Sequence, residues 1–171
     1  MKRNLHNNMD LYEVVVEVAK VNRTTTGGRA FSFRVVVVVG DKKGYIGFGS
    51  SSHGEVVEAK KKAINQAKKR FYRVHLRENR TIHHAIYSKY KCSSISMKPV
   101  RPGRGVIAGG TMRKVCEVLG IKDISTKSHT RASCLNTIRN MLQAFDNISS
   151  PKDVANRRGK KVSDIVRNRK G

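Results

Sequence analysis

The segment with the clearest capacity for chemistry is residues 22–29, which are rich in hydroxyl groups, glycine and arginine. Arg23 and Arg29 flank three consecutive threonines and the pair Gly27-Gly28. Threonine hydroxyls and guanidinium groups donate hydrogen bonds to phosphate and sugar oxygens, and glycine lets a backbone approach a ligand closely. The same residue types are typical of a plain hairpin loop that needs glycine for a positive φ. Composition leaves both interpretations open.

A basic helix is predicted over residues 55–76. Apolar residues recur every three or four positions, which indicates a face packed closely on a sheet, and Ser52 with Glu55 has the spacing of a capping box. Because few acids accompany the cations of the opposite face, we favour RNA contact over a merely solvated face. The apolar stripe is Val56, Ala59, Ala63, Ile64, Ala67, Phe71 and Val74, and the cations are Lys60, Lys61, Lys62, Lys68, Lys69, Arg70 and Arg73.

Motifs for catalysis or cofactor binding are weak. His83 and His84 are adjacent, so on a strand they point to opposite faces, which does not suit a metal site. The glycines of residues 47–54 lack dinucleotide-binding spacing and are interpreted as a bulge and a helix start; those of residues 103–110 lack a following Gly-Lys-Ser/Thr, although their basic neighbours favour phosphate contact. No Gly-x-Ser-x-Gly elbow occurs. The sequence predicts no enzyme, no metal and no cofactor.

The overall charge predicts a polyanionic partner. The 171 residues include 36 Lys and Arg against 12 Asp and Glu, a formal net charge of +24. Such self-repulsion opposes compaction unless a polyanion neutralises it, and nucleic acid does so with release of counterions. A membrane surface would instead call for a basic amphipathic helix with Trp or Phe wedges, and the chain has no Trp.

Targeting and redox signals are also weak. The longest apolar run is residues 35–39, too short for a membrane span, and residues 1–8 lack the apolar core of a signal peptide. We therefore expect a cytoplasmic protein. The three cysteines, at 92, 116 and 134, are too few and too widely spaced for a disulfide framework or a zinc knuckle.

The elements that position these residues fall into two predicted domains. We expect an N-terminal arm at 1–11, a β-β-β-α domain at 12–76, a linker at 77–80, a C-terminal domain at 81–150 and a basic tail at 151–171. The first domain is predicted from strands at 14–18, 31–39 and 45–48. In the second domain we predict strands at 81–92, 94–98, 106–108 and 121–126, a helix between Gly110 and Gly120, and a last long helix at 135–145.

The positive charge is unevenly distributed. Residues 98–114 carry five basic groups and no acid, whereas residues 115–150 carry four basic groups and three acids. We therefore expect RNA to avoid residues 115–150, which are more typical of a core or a protein contact. Residues 151–171 carry eight basic groups and two acids.

Five segments, in order and correctly spaced, resemble the ribosomal protein S5 family of the bacterial small subunit. The resemblance runs from about residue 11 to residue 165. Thr26 replaces a usual lysine, Ser51-Ser52 replaces a usual Gly-Lys, and residues 128–134 lack the Gly-Ser and Asn-Pro elements of the family. The segments that carry the resemblance are 27–33, 38–41, 44–49 with Glu55-Val56, 105–113 and 150–160.

The resemblance implies a fold and a function. The fold is α+β, with an N-terminal domain like the double-stranded-RNA-binding fold and a C-terminal α/β two-layer sandwich containing a left-handed βαβ crossover. The function is that of a structural constituent of the small ribosomal subunit, which binds 16S-type rRNA and supports assembly, translational accuracy and the channel by which mRNA enters. Implied neighbours are small-subunit proteins four and eight; no membrane and no homo-oligomer are expected. The alternatives are a subunit of an RNA-processing nuclease and a free regulator that binds duplex RNA.

The predicted binding residues combine these arguments. The loop 20–29 matches the family segment that influences spectinomycin sensitivity. The region 104–113 matches the segment towards protein four that affects decoding accuracy, which assigns that role to Arg104, Gly105 and Arg113. RNA contact is predicted at Lys20, Asn22, Arg23, Thr24, Thr25, Gly27, Gly28, Arg29, Phe31, Lys42, Lys43, Lys60, Lys61, Lys68, Lys69, Arg101 and Arg104.

Overall fold

The computed structural model describes residues 10–167, which form two four-stranded sheets and five helices. Most of the predicted arm at 1–11 and the last four residues of the predicted tail lie outside the described residues. The elements are β1 Tyr12–Thr25, β2 Gly28–Gly40, β3 Tyr45–His53, α1 Val56–Lys68, β4 Phe71–Arg73, β5 Ile86–Tyr90, β6 Ser93–Pro99, β7 Val106–Ile107, α2 Gly110–Leu119, β8 Ile124–Ser128, α3 Cys134–Asp146, α4 Pro151–Arg158 and α5 Val162–Arg167.

The first sheet is antiparallel, with strand order β1-β2-β3-β4. Strand β1 is much longer than the predicted 14–18, because the threonine-rich segment continues the ladder to the pair Thr25–Gly28. The prediction of a polar loop at 22–29 is therefore wrong, and only Thr26 and Gly27 lie in the turn. β-Branched threonines suit an extended ladder as well as a loop, which is why composition did not distinguish the two.

Strand β2 is buried on both faces from Val35 to Gly40, whereas residues 28–31 at its other end are exposed. A continuous run of five fully buried valines fits a central strand covered on two sides. Val35, Val37 and Val39 pack with the alanines of α1, whereas Val36 and Val38 belong to the larger core shared with the second half of the chain.

Two glycines of β3 allow α1 to lie close on the sheet. A Cβ at Gly49 would collide with the carbonyl oxygen of Ala63, and a Cβ at Gly47 with that of Ala67. Both glycines occupy regular positions opposite β2, so the predicted bulge is wrong. The close approach of α1, predicted from its small residues, is confirmed.

Helix α1 is shorter than predicted. It ends at Lys68, and Phe71–Arg73 pairs with β3 as a fourth strand, because the edge of β3 requires a partner and Phe71 fills the core from that strand. The predicted capping box is wrong, since Ser52 lies in β3 and the N-cap residue Glu55 makes no side-chain cap.

The second sheet has strand order β5-β6-β8-β7. Strands β7 and β8 are parallel and are connected through α2, so a βαβ unit is present; its left hand stays a prediction. Helix α3 packs on β5 and β6, where the buried amide of Asn140 donates to the carbonyl oxygens of Ser88 and Ser93. The mixed α+β class with two sheets is confirmed.

Helix α3 matches the last long helix predicted at 135–145, and two shorter helices follow it in the predicted basic tail. Helix α4 begins with a capping box: the Asp153 amide donates to the Ser150 hydroxyl, and the Asp153 carboxylate accepts from the Ser150 amide. The Ser150 hydroxyl and amide also hold the pKa of Asp153 below its usual value. Within the described part of the chain, no helix is both long and apolar enough to cross a membrane.

Candidate RNA-binding surface

The outer end of the β1–β2 hairpin is an exposed basic feature. The pairing of β2 with β3 stops at Phe33 and His53, so the hairpin beyond Phe33 projects as a two-stranded ribbon. Residues 20–31 are all exposed, and the sequence from 18 to 34 contains no acid. We call residues 20–32 the ribbon.

Register divides the ribbon into two faces. Residues paired across an antiparallel ladder lie on one face, so the pairs Asn22–Phe31 and Thr24–Arg29 share the face of Lys20. This is the face on which α1 packs, because Phe31 is in phase with Val35. Arg23 and Thr25 lie on the opposite face.

Local contacts shape both the face and the tip. The ammonium of Lys20 lies 4.3 Å from the centre of the Phe31 ring, which holds a cation over an exposed aromatic ring. The Thr25 hydroxyl donates to the Gly28 carbonyl oxygen at 3.0 Å, and Gly28 has a φ of +139°. Nothing lies within 4 Å of the Cβ positions of Gly27 or Gly28, so a ligand backbone can approach the tip closely.

The predicted lysines of α1 differ in availability. Lys60 and Lys69 are exposed and form no ion pair within the described residues. The Lys61 ammonium lies 3.1 Å from the Glu58 carboxylate and holds the pKa of Glu58 below its usual value. The Lys68 ammonium lies 2.8 Å from the Glu13 carboxylate. Lys61 and Lys68 must exchange these partners to contact phosphate.

Lys42 and Lys43 lie at the end of the first sheet remote from the ribbon. Their loop follows Gly40, and the Asp41 carboxylate accepts from the amides of Lys43 and Tyr45. The Lys42 amide donates to the Val118 carbonyl oxygen, and its ammonium lies 3.6 Å from the centre of the Tyr12 ring. The structure therefore does not unite these two lysines with the ribbon.

Arg101 and Arg104 lie in a third place, an exposed loop before β7. A buried carboxylate holds this loop: Asp123 accepts from the Gly105 amide at 2.9 Å and from the Arg80 guanidinium at 3.2 Å. The Gly105 amide, followed by Arg80, keeps the pKa of Asp123 below its usual value. Sequence reasoning missed Asp123, because its partners lie 18 and 43 residues away.

Two basic side chains of α2, Arg113 and Lys114, donate hydrogen bonds to backbone carbonyl oxygens. Arg113 donates to the Val106 carbonyl oxygen at 3.2 Å, which connects α2 to β7 beside Gly105. The Lys114 ammonium donates to the carbonyl oxygens of Val15 and Val16 at 3.1 Å, where β1 bulges. The role of Lys114 was also missed, and no local sequence signal identifies it.

Three of the histidines and cysteines considered for metal or redox chemistry are either hydrogen-bonded to backbone or buried. The ring of His84 contacts the Ala85 carbonyl oxygen and accepts from the Ser149 amide. Burial raises the pKa of the Cys116 thiol to about 12 and also raises that of Cys134. Among residues 10–167, no group of three or more His, Cys, Asp or Glu side chains is placed to hold a metal ion.

Comparison with known proteins gives matches over most of the chain. Residues 11–75 match the family model of the ribosomal protein S5 N-terminal domain, and residues 88–158 match that of the C-terminal domain. A small ribosomal subunit protein uS5 from Wolbachia pipientis wMel is 51% identical over 167 residues, 98% of each chain. Proteins of the same name are 50% identical in Wolbachia sp. subsp. Brugia malayi (98% of each chain) and 46% identical in Neorickettsia sennetsu (97% of this chain, 96% of the relative).

Proposed function

The chain belongs to the ribosomal protein S5 family, and from this membership we propose that it is a structural component of the small ribosomal subunit that binds rRNA through the ribbon. The observation that carries the proposal is the ribbon itself: a projecting hairpin with exposed Arg23, Arg29 and Lys20 and no acid between residues 18 and 34.

The ribbon suits RNA backbone better than a protein groove. The two faces of its outer part expose hydroxyl groups, a side-chain amide and three cations. All of these groups donate hydrogen bonds to phosphate and sugar oxygens. A ribbon without a core on either face cannot stabilise itself well, so a polyanion that contacts both faces also orders it. Lys60 and Lys69 extend the same positive field along α1.

The finer assignments rest on family resemblance. We propose that the loop with Arg101 and Arg104, together with Gly105 and Arg113, faces small-subunit protein four and influences decoding accuracy. Protein eight and mRNA near its entrance channel are the other proposed neighbours, the compartment is the cytoplasm, and the role is architectural, with no reaction catalysed. The proposed domain limits remain 12–76 and 81–150.

The test is the salt dependence of rRNA binding. Changing Arg23→Gln and Arg29→Gln together should weaken binding of a small-subunit rRNA transcript. The slope of log affinity against log salt should become shallower by about one for each phosphate that the variant no longer neutralises. Filter binding across a salt series measures both quantities.

A matched control separates direct contact from net charge. Lys122→Gln with Arg139→Gln removes the same two charges from exposed positions outside the predicted surface. This pair should leave the slope close to that of the parent chain. Equal slopes for the ribbon pair and the parent would contradict ribbon contact with the RNA backbone.

A further inference from the structure

Among residues 10–167, no helix covers one of the two faces of the second sheet. Its inward residues, among them Ser88, Ile95 and Thr126, are buried beneath the helices. The alternate residues point the other way by the period of two. We call the outward set the open face: Ile107 of β7, Tyr87 and Lys89 of β5, Ser96 and Lys98 of β6, Ser125 and Lys127 of β8, and His129 just after β8.

The open face is cationic and contains no acid. Lys89, Lys98 and Lys127 are exposed, and none of them forms an ion pair within residues 10–167. Lys98 and Lys127 are diagonal neighbours on adjacent strands, about 7–8 Å apart between backbones. Three unneutralised ammonium groups on one rigid sheet attract a polyanion.

Aromatic rings and hydroxyls lie between these cations. Tyr87 is 63% exposed, and the His129 ring lies 5.8 Å from its ring at a tilt of 46°. The His129 ring also contacts the Ser96 hydroxyl at 3.0 Å, which fixes its position on the face.

The segment 128–134, in which this chain departs from the family pattern, holds His129 in place. The His129 amide donates to the Ser94 carbonyl oxygen, which continues the ladder of β8. The Thr130 hydroxyl donates to the Cys92 carbonyl oxygen and accepts from the Ser94 amide. These hydrogen bonds to the sheet therefore fix the position of the His129 ring beside Tyr87.

We propose that the open face binds a single-stranded segment of RNA, with a base stacked on Tyr87 and the phosphates near Lys89, Lys98 and Lys127. Sheets with exposed aromatic rings and flanking cations bind unpaired bases in this way, whereas duplex RNA offers no free base to stack. A protein-binding face would have an apolar centre, but the only aliphatic member, Ile107, lies on the edge strand. The proposal rests on the rRNA-binding function proposed above and adds a second contact region to it.

Because residues 115–150 are nearly neutral overall, the sequence predicted that RNA would not contact this segment. The structure separates those charges: Lys127 is on the open face, whereas Asp123 is buried against Arg80, and Glu117 and Asp146 belong to helices. The expectation that RNA avoids this whole segment is therefore replaced, in this proposal, by contact at one face of it.

Fluorescence of a single introduced tryptophan tests the proposal. The chain has no Trp, so Tyr87→Trp places one reporter at an exposed site without loss of core packing. A short single-stranded RNA of mixed sequence should quench it, and the same sequence as a duplex should quench it much less. Adding Lys89→Gln, Lys98→Gln and Lys127→Gln should weaken the quenching and reduce its salt slope by about two, at roughly 0.7 for each phosphate on a single strand.

Controls distinguish the possible failures. Lys122→Gln, Arg139→Gln and Lys152→Gln remove three charges outside the face, and the quenching slope should not change. An unquenched reporter in a Tyr87→Trp protein that still binds the rRNA transcript would overturn the open face and leave the proposed function standing. Quenching by polyglutamate but not by RNA would identify a protein partner instead and also overturn it. If the parent chain does not bind the transcript, both proposals fail.

Discussion

At the scale of single residues, Asp123 connects two segments that lie far apart along the chain. Its carboxylate connects the turn at Arg80 to Gly105, the first glycine of the segment 105–113. Asp123→Asn removes the charge that the guanidinium needs and one of the acceptors. We expect a lower midpoint of urea unfolding and faster hydrogen exchange at the Gly105 amide.

The pH dependence of this effect has a definite sign. The pKa of Asp123 is lower in the folded chain than its usual value, which is about 3.9. The folded state therefore binds this proton less readily than the unfolded state, so the carboxylate stabilises the fold fully above the ordinary pKa. Its contribution disappears as the pH falls through the lower, folded pKa. Urea midpoints of the parent and Asp123→Asn should differ at neutral pH and converge in acid; a constant difference would contradict this assignment.

The surroundings of the predicted binding residues were only partly predictable from sequence. Cations without nearby acids are visible in the sequence at Arg23 and Arg29, and both side chains are exposed in the structure, whereas their contact with RNA stays a prediction. The partners of Lys68 and Lys114 could not be predicted, since Glu13 and the carbonyl oxygens of Val15 and Val16 lie far away along the chain. Contacts of this kind depend on the fold and have no local pattern.

At the scale of elements, the close packing of α1 on β3 gives the sharpest prediction. The methyl group of Gly49→Ala would collide with the backbone of α1 at Ala63. Relief requires the helix to shift away from the valines of β2, and overpacking of this kind costs about 1–3 kcal/mol. Gly54→Ala is a matched control, because nothing lies within 4 Å of its added Cβ. Urea unfolding compares the two, and equal stabilities would contradict the close approach.

Element prediction succeeded where periodicity is strong and failed where tertiary pairing decides. The period of Ala59, Ala63 and Ala67 identified α1 correctly. Phe71 continued the same period, yet it pairs in β4, because the vacant edge of β3 outweighs helical phase. Similarly, the alternation that should mark a strand is hidden in residues 22–25, which are polar on both faces of the ribbon.

At the scale of the whole molecule, one hydrophobic core connects the two halves. Val36, Val38 and Ile46 of the first sheet are buried together with Val115 and Val118 of α2. Gly120, with a φ of +82°, also lets the loop at Lys42 lie against the end of α2, since a Cβ there would collide with the Lys42 carbonyl. The two sheets should therefore not unfold independently, although the sequence suggested a polar linker between separate domains.

A strain introduced into the first half should consequently be detected in the second half. Combining Gly49→Ala with Tyr87→Trp places the perturbation against α1 and the reporter on β5, two elements without a shared strand. We expect the fluorescence of the introduced tryptophan and far-ultraviolet circular dichroism to report a single urea transition, and Gly49→Ala should shift both midpoints equally. The reason is that α2 is supported by the side of the shared core that β2 and β3 provide. Gly54→Ala with the same reporter should leave both midpoints in place. A shift in circular dichroism with no change in the fluorescence midpoint would mean that the halves are independent and that the shared core contributes little to cooperativity.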